Sequence, residues 1–242
     1  MLAGEPGASL NVSATDLLAE PVAVAAVIAG ALDRSGSSLR AHWRLQEAFS
    51  RSGVSSELFN SLAAPNPLTR AAAARLCAAL RLTEAVDWIA DLVRDPNPRV
   101  RDAAVRGLGQ LGGRRAVEIL VHGDDRIPLY RQAIALSRAA ADLDIEALMR
   151  QPRSERAAIV TVLACGLRRD TLRVAPLLGI AHDRRWPTRV RLASCIALGA
   201  IGDPSAAGGL ANLAGTATEP AVRQAAERAV RRLKHAPQAA IQ

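Results

Sequence analysis

Residues 95–112 read DPNPRVRDAAVRGLGQLG, and this stretch decides the fold. Alanines follow Arg101 after two and three residues, and leucines follow it after seven and ten. Offsets of three, seven and ten residues trace one face of an α-helix. The Gly112–Gly113 pair that comes next is a helix-ending signal. The stretch therefore predicts an amphipathic helix whose first turns pack closely and which ends at the glycines.

The same arrangement recurs along the chain, around Arg70, Arg131, Arg156, Arg191 and Arg223. The steps between successive arginines are 31, 30, 25, 35 and 32 residues, and the fit is weakest around Arg156. About fifteen residues after three of the arginines a second apolar pattern starts, as in residues 85–93 and 206–215. A period of this length predicts a repeat of helix hairpins, each of about 30 residues.

The composition favours the same architecture. The 242 residues include 50 alanines but only six aromatic residues. Large sheets draw on β-branched and aromatic residues, whereas Ala, Leu and Arg favour helices. We predict an all-α fold, a right-handed α-solenoid of about five to six helix hairpins.

The hairpins resemble HEAT repeats, and the sequence of residues 95–112 is most similar to the HEAT-like repeat of phycobilisome lyases. The resemblance covers about residues 65–233. It implies a curved solenoid in which an Asp–Arg ladder joins successive repeats and the arginine-bearing helix lines the concave side. The family includes phycobilin lyases, and related solenoids bind or excise damaged DNA bases. We recognise no residue cluster here that matches a chromophore site or the glycosylase constellation.

The predicted organisation has four parts. Residues 1–11 form a flexible N-terminus, and residues 12–64 form capping helices with a degenerate first repeat. Residues 65–235 form the HEAT-like repeats, and residues 236–242 form a flexible tail. A capping region is expected because the end repeat of a solenoid otherwise exposes an apolar face.

The repeated arginines have two interpretations. In the structural one they pair with preceding aspartates and with backbone carbonyls, and the six-residue spacing assigns Asp95 to Arg101 and Asp125 to Arg131. In the functional one they form a basic stripe for an acidic partner. Three arginines have no aspartate at that spacing and are expected to be freer to bind a partner: Arg70, Arg191 and Arg223.

The densest polar and aromatic cluster contains Arg184, Arg185 and Trp186. These three residues could grip a peptide or stack on a base. Alternatively, the tryptophan covers the end of its own hairpin. Trp43 and Trp88 lie in amphipathic patterns and are predicted to pack at the edge of the core.

No catalytic or metal-binding constellation is recognisable in the sequence. The four histidines lie in different segments without an HxxxH or HExxH neighbour, and no CxxC occurs. The three cysteines are predicted to be buried and reduced, with redox or zinc roles as the alternative. We therefore predict no enzyme activity, no cofactor and no bound metal.

The charge leaves two classes of partner open. The net charge is +8, and 30 of the 31 basic residues are arginines. The leading prediction is a non-catalytic scaffold or adaptor that binds another protein or a peptide on its concave face. The alternative is a nucleic-acid-binding solenoid that uses an arginine-rich surface in its C-terminal half. The longest uncharged apolar stretch, residues 21–32, is too short to span a bilayer, so we predict a cytoplasmic protein without membrane insertion.

Overall fold

The computed structural model describes residues 54–235 of the chain. The described residues form twelve α-helices and no strand: α1 (Val54–Leu62), α2 (Pro67–Ala79), α3 (Val86–Leu92), α4 (Pro98–Leu111), α5 (Gly113–Val121), α6 (Leu129–Ala139), α7 (Asp142–Arg150), α8 (Glu155–Arg168), α9 (Val174–His182), α10 (Thr188–Ile201), α11 (Ala207–Thr216) and α12 (Pro220–His235). Single 3₁₀ turns, Thr83–Ala85, Thr171–Arg173 and Pro204–Ala206, precede α3, α9 and α11. The predicted all-α class is confirmed.

Helix ends lie where local sequence signals place them. Asn66 caps α2 by accepting a hydrogen bond from the Leu68 amide at 2.9 Å, and Pro67 occupies the first helical position. α4 ends at Leu111, before Gly112 with φ 67°, and α10 ends at Ile201, before Gly202 with φ 82°. Both glycines have a positive φ, which side chains disfavour, and Gly202 adopts the left-handed helical conformation. The helix end predicted at Gly112–Gly113 is confirmed.

The described residues divide into two compact units, with the boundary between Gly107 and Leu108. In the first unit, α1 packs against α2 and α3. The core of this unit contains the alanines 71–74 of α2 together with Ile89 and Val100. A Cβ built on Gly107 would lie 3.3 Å from the Ala74 carbonyl oxygen, so α4 approaches the α2 backbone closely.

The second unit has two layers of helices. One layer contains α6, α8, α10 and α12, which contact one another in that order. The other layer contains α5, α7, α9 and α11, and each of these helices packs against the next helix of the first layer. Apolar residues between the layers, such as Leu136, Leu177, Leu198 and Leu210, are fully buried.

The predicted hairpins are present as five consecutive pairs from α2–α3 to α10–α11 within residues 54–235. The predicted segments 1–11 and 236–242, and most of the predicted capping region, lie outside the described residues. Of the predicted capping region, the described part forms the helix α1.

Candidate functional site

Arg70 in the first unit is held by the loop that precedes α4. Its Nε donates to Asp95 Oδ2 at 2.8 Å and its Nη2 to Asp95 Oδ1 at 3.1 Å. Its Nη1 donates to the carbonyls of Ala64 and Pro65. The Asp95 carboxylate is buried, which raises its pKa, but the hydrogen bonds from Arg70 and the Asn97 amide outweigh burial and hold that pKa below its ordinary value.

Arg101 does not pair with the carboxylate of Asp95, the residue that the six-residue spacing assigned to it. Its Nη1 donates to the backbone carbonyls of Asp95 and Pro96, both at 2.9 Å. The expected pairing of the Asp95 carboxylate with Arg101 is wrong, because this carboxylate faces Arg70 of α2. The ladder thus joins an arginine to the acidic loop of the next hairpin.

The second unit repeats this geometry at Arg191, whose side chain is 3% exposed. Its Nη1 donates to Glu219 Oε1 at 2.9 Å and its Nε to the Ala181 carbonyl at 3.0 Å. Arg223 donates to the carbonyls of Ala217 and Thr218. The expectation that Arg70 and Arg191 are freer to bind a partner is wrong, since each is held by an acidic residue of the following loop.

A recurring glycine contact fixes the true register of the repeats. A Cβ built on Gly199, eight residues after Arg191, would lie 3.1 Å from the Cα of Ala229, six residues after Arg223. Gly166 meets Ala197 and Gly109 meets Ala135 in the same manner. By this register, residues 129 of α6 and 158 of α8 correspond to Arg191 of α10 and Arg223 of α12. We call this position of each helix the arginine place.

The alignment on Arg131 and Arg156 is therefore wrong by two residues in opposite directions. Arg131 is exposed on α6. Arg156 reaches back to the loop before α6, where it donates to the carbonyls of Asp124 and Ile127 and to Gln132 Oε1. Its Nη1 also lies 3.5 Å from Asp125 Oδ1, so Asp125 pairs with Arg156 in addition to any contact with Arg131.

The segment 183–187 forms the loop between α9 and α10. Arg185 is exposed and bonds through Nε and Nη2 to Asp183, while Arg184 is exposed. Trp186 is half-buried and lines a narrow crevice with Met149 and Ile180. This placement agrees with a tryptophan that covers the end of its own hairpin.

An outward face that the sequence analysis missed becomes visible in the corrected register. On three successive helices of one layer, two of the three positions that lie one, five and nine residues after the arginine place carry partly exposed apolar side chains. We call these residues the apolar face: Tyr130 and Ile134 on α6, Leu163 and Leu167 on α8, and Leu192 and Ile196 on α10. The remaining position holds the charged Arg138 on α6, the buried Ile159 on α8 and Ala200 on α10. Tyr130 is 59% exposed, Leu167 36% and Ile196 46%.

On α12 the same positions are polar: Gln224, Arg228 and Arg232. Between α10 and α12 lies a groove of about 240 Å³. Leu192, Ile196, Gly199 and Ala225 form its floor, and Arg228 and Arg232 lie along its edge. The apolar face therefore ends at a basic margin on the last described helix.

Comparison with known proteins identifies the architecture. The family model for HEAT repeats matches residues 55–138 and 144–231, which together make up more than half of the chain. The chain belongs to the HEAT-repeat family. No curated protein matches the chain in sequence.

Several solved structures are similar to this HEAT-repeat chain. Human deoxyhypusine hydroxylase in complex with glycerol is 18% identical, with 90% of this chain and 99% of that chain covered and a TM-score of 0.39. The complex of CpcE and CpcF of phycocyanin lyase from Nostoc is 18% identical, with 96% and 99% covered and a TM-score of 0.41. A designed armadillo repeat protein is 15% identical, with 93% and 96% covered and a TM-score of 0.34.

The HEAT-repeat helices bury the three cysteine side chains. All three cysteines are free and buried, and burial raises the pKa of the Cys77 and Cys165 thiols to about 12 and that of Cys195 to about 11. A thiol with such a pKa carries almost no thiolate at neutral pH. Within residues 54–235 there is no group of three or more residues that could hold a metal ion.

Two further expectations concern exposure. Trp88 is 51% exposed, so about half of its surface is covered, and its packing at the edge of the core stays a prediction. Trp43 lies outside the described residues. Among the helices the structure describes, none has the length and apolar character needed to cross a bilayer. The cytoplasmic location stays a prediction.

Proposed function

We propose that the chain is a non-catalytic scaffold that binds another protein along the apolar face of α6, α8 and α10. The observation that carries the proposal is the alignment of partly exposed Tyr, Ile and Leu side chains on three adjacent helices. Contiguous exposed apolar surface of this kind marks interaction sites, whereas scattered apolar residues are ordinary. HEAT repeats are commonly interaction scaffolds, and their stacking gives neighbouring helices a shared surface.

The aromatic and charged members of the surface fit a protein partner. Tyr130 supplies a large side chain with a polar hydroxyl, a type enriched at interfaces. Arg138 and Arg189 are exposed near the same helices and can contribute to a polar rim.

The predicted binding residues have separate roles in this proposal. Arg70, Arg191 and Arg223 hold loops through the bonds described above, so they support the scaffold. Arg184 and Arg185 are the exposed members of the predicted set, and they extend the proposed surface as peripheral contacts. Trp186 keeps its packing role at the hairpin end.

Nucleic-acid binding is the second candidate, and α12 is the observation that favours it. Arg228, Arg231, Arg232 and Lys234 are exposed and have no ion-pair partner within residues 54–235. Binding through phosphates weakens steeply with salt because counterions are released. Titration of a fluorescent duplex and a single strand at about 50 and 200 mM salt tests this candidate, and absence of binding at the lower salt would remove it.

Photo-crosslinking tests the scaffold proposal. A photoreactive phenylalanine analogue is placed at Ile196 or Tyr130, and at Leu143 of α7 as the control, because Leu143 is 80% exposed on the other layer. In nuclease-treated native lysate we expect both face positions to crosslink the same protein and the control position not to do so. The chain carrying Ile196→Glu should bind that protein less well than the chain carrying Leu143→Glu. Equal crosslinking at all three positions would contradict the proposal.

A further inference from the structure

The groove between α10 and α12 differs from the rest of the apolar face in its charge. Its floor is apolar, with Ile196 almost half exposed, whereas its edge carries two arginines one helical turn apart. Arg228 and Arg232 have no acidic partner within residues 54–235. On α10 the positions that correspond to Arg228 and Arg232 hold Ile196 and Ala200, and the exposed Arg189 is paired, since its Nε lies 3.9 Å from Glu155 Oε1.

The two helices that line the groove come into close backbone contact at Gly199. A Cβ built on Gly199 would lie 3.1 Å from the Cα of Ala229, so α10 and α12 approach each other closely at this position. Arg232 Cδ lies 3.8 Å from the position that a Cβ on Gly199 would take, so the stem of Arg232 extends over this contact. The apolar stem thereby lies on the packed surface while its charged end remains in solvent.

The dimensions of the groove suit a short helix. The lining positions run from 192 to 199 on α10 and from 221 to 232 on α12. At 1.5 Å per residue these ranges correspond to about 11 and 17 Å, or two to three turns. A bound helix presents apolar side chains at three- and four-residue spacing, and carboxylates four residues apart lie on one face, as Arg228 and Arg232 do.

We propose that this groove binds an acidic amphipathic helix of a partner protein, whose apolar side chains enter the groove and whose carboxylates pair with Arg228 and Arg232. The inference rests on the proposed scaffold function and names the chemistry of its partner. Two unpaired cations favour an acidic segment, and the apolar floor favours a peptide over a phosphate backbone, which offers no apolar side chains. Carboxylate pairs with arginine are often bidentate, which would also fix the register of the bound helix.

Selection from a display library tests the inference with random peptides as the probe. The full chain is immobilised and incubated with a library of displayed 16-residue peptides. We expect the enriched sequences to combine acidic residues with apolar residues at three- and four-residue spacing. Enrichment of neutral or basic peptides, or no enrichment, would overturn the proposal.

Variants of α12 then locate the site. The most enriched peptide is titrated by fluorescence anisotropy against the wild type, the double variant Arg228→Glu/Arg232→Glu, and Arg231→Glu. Arg231 is the matched control because it is exposed on the same helix but does not line the groove. We expect Kd to rise at least tenfold for the double variant and less than threefold for the control. An equal rise for both would refute the site.

Two further measurements separate the possible failures. Competition with a duplex oligonucleotide should not displace the peptide at 150 mM salt, and displacement would assign the groove to nucleic acid instead. Circular dichroism of each variant must match the wild type. If crosslinking at Ile196 captures a partner while the α12 variants bind it normally, the scaffold function stands and the acidic-helix inference fails.

Discussion

Asp95 is expected to be a main electrostatic support of the first unit, and replacing it by Asn tests this. The carboxylate accepts two hydrogen bonds from Arg70, at 2.8 and 3.1 Å, and one from the Asn97 amide at 2.8 Å. The side chains of Arg70 and Asp95 are 15% and 5% exposed. Asp95→Asn keeps the size of the side chain but removes its charge.

The magnitude follows from the distance and the burial. At 2.8 Å the Coulomb attraction is about 1.5 kcal/mol in bulk water and about 6 kcal/mol at an effective dielectric constant of 20. Desolvation of both groups opposes this attraction. Breaking a fully buried pair costs about 3–5 kcal/mol, but Arg70 keeps two carbonyl acceptors and some contact with solvent. We therefore expect the free energy of unfolding to fall by about 2–3 kcal/mol.

A double-mutant cycle isolates the pair. Urea unfolding of the wild type, Asp95→Asn, Arg70→Met and the double variant should give a coupling free energy of about 2 kcal/mol. The matched control is the pair Arg114–Glu118, which has an N–O distance of 3.5 Å and side chains 90% and 43% exposed. Its coupling should not exceed about 0.5 kcal/mol. An Arg70–Asp95 coupling as small as that of the control would refute the buried-ladder reasoning.

Three further predictions follow from the same structure. Gly166→Ala should lower the free energy of unfolding by about 1–3 kcal/mol, since the new Cβ would lie 2.8 Å from the Ala197 Cα. Gly208→Ala in α11 should raise it by about 0.5–1 kcal/mol, since a Cβ at that position would have nothing within 4 Å. Urea unfolding measures both changes. The three thiols should react with an aromatic disulfide at pH 8 only after unfolding, and rapid reaction of the native chain would contradict their raised pKa values. Because the pKa of Asp95 is lowered on folding, its contribution is complete above the unfolded pKa of about 3.9 and is lost as the pH falls through the folded pKa. Stability should thus decline less steeply in Asp95→Asn than in the wild type from about pH 5 to 2, and identical slopes would argue against it.

The sequence predicted the helices well because their signals are local. Asn66 with Pro67, and the glycines at 112 and 202, act through the backbone of a few neighbouring residues. The buried alanines after Arg101 and Arg191 lie at helical spacing, so the packed face of each helix was also readable. Neither inference depends on which hairpins are neighbours.

The partners of the arginines were not readable because they depend on the next hairpin. Arg70 is 25 residues from Asp95, and Arg191 is 28 residues from Glu219. The six-residue spacing joins Arg101 to the Asp95 carbonyl only, and it links neither the Asp95 carboxylate to Arg70 nor Glu219 to Arg191. The direction of the side chain across the hairpin stack decides the pair, and loop length alone does not encode that direction.

The apolar face was hidden by the same error of register. Alignment on Arg131 and Arg156 shifts α6 and α8 by two residues in opposite directions. A shift of two residues corresponds to a rotation of about 200° relative to the correctly aligned helices α10 and α12. Aligned on the glycine contacts instead, the exposed apolar positions fall into rows. The backbone contacts at Gly109, Gly166 and Gly199 therefore align the repeats more accurately than the arginines do.

The hairpin that begins with α6 shows why the arginines do not align the repeats reliably. An arginine at the usual place donates to carbonyls of its own preceding loop, as Arg101 and Arg223 do. In α6 that place holds Leu129, which has no hydrogen-bond donor on its side chain, and the loop carbonyls of Asp124 and Ile127 take their bonds from Arg156 of the next hairpin. Gln132, fully buried, accepts from the same guanidinium and donates to the Leu120 carbonyl. Buried loop carbonyls need a hydrogen-bond donor. The feature that this repeat keeps is therefore a loop whose carbonyls accept hydrogen bonds from an arginine. That arginine can belong to the same hairpin or to the next one.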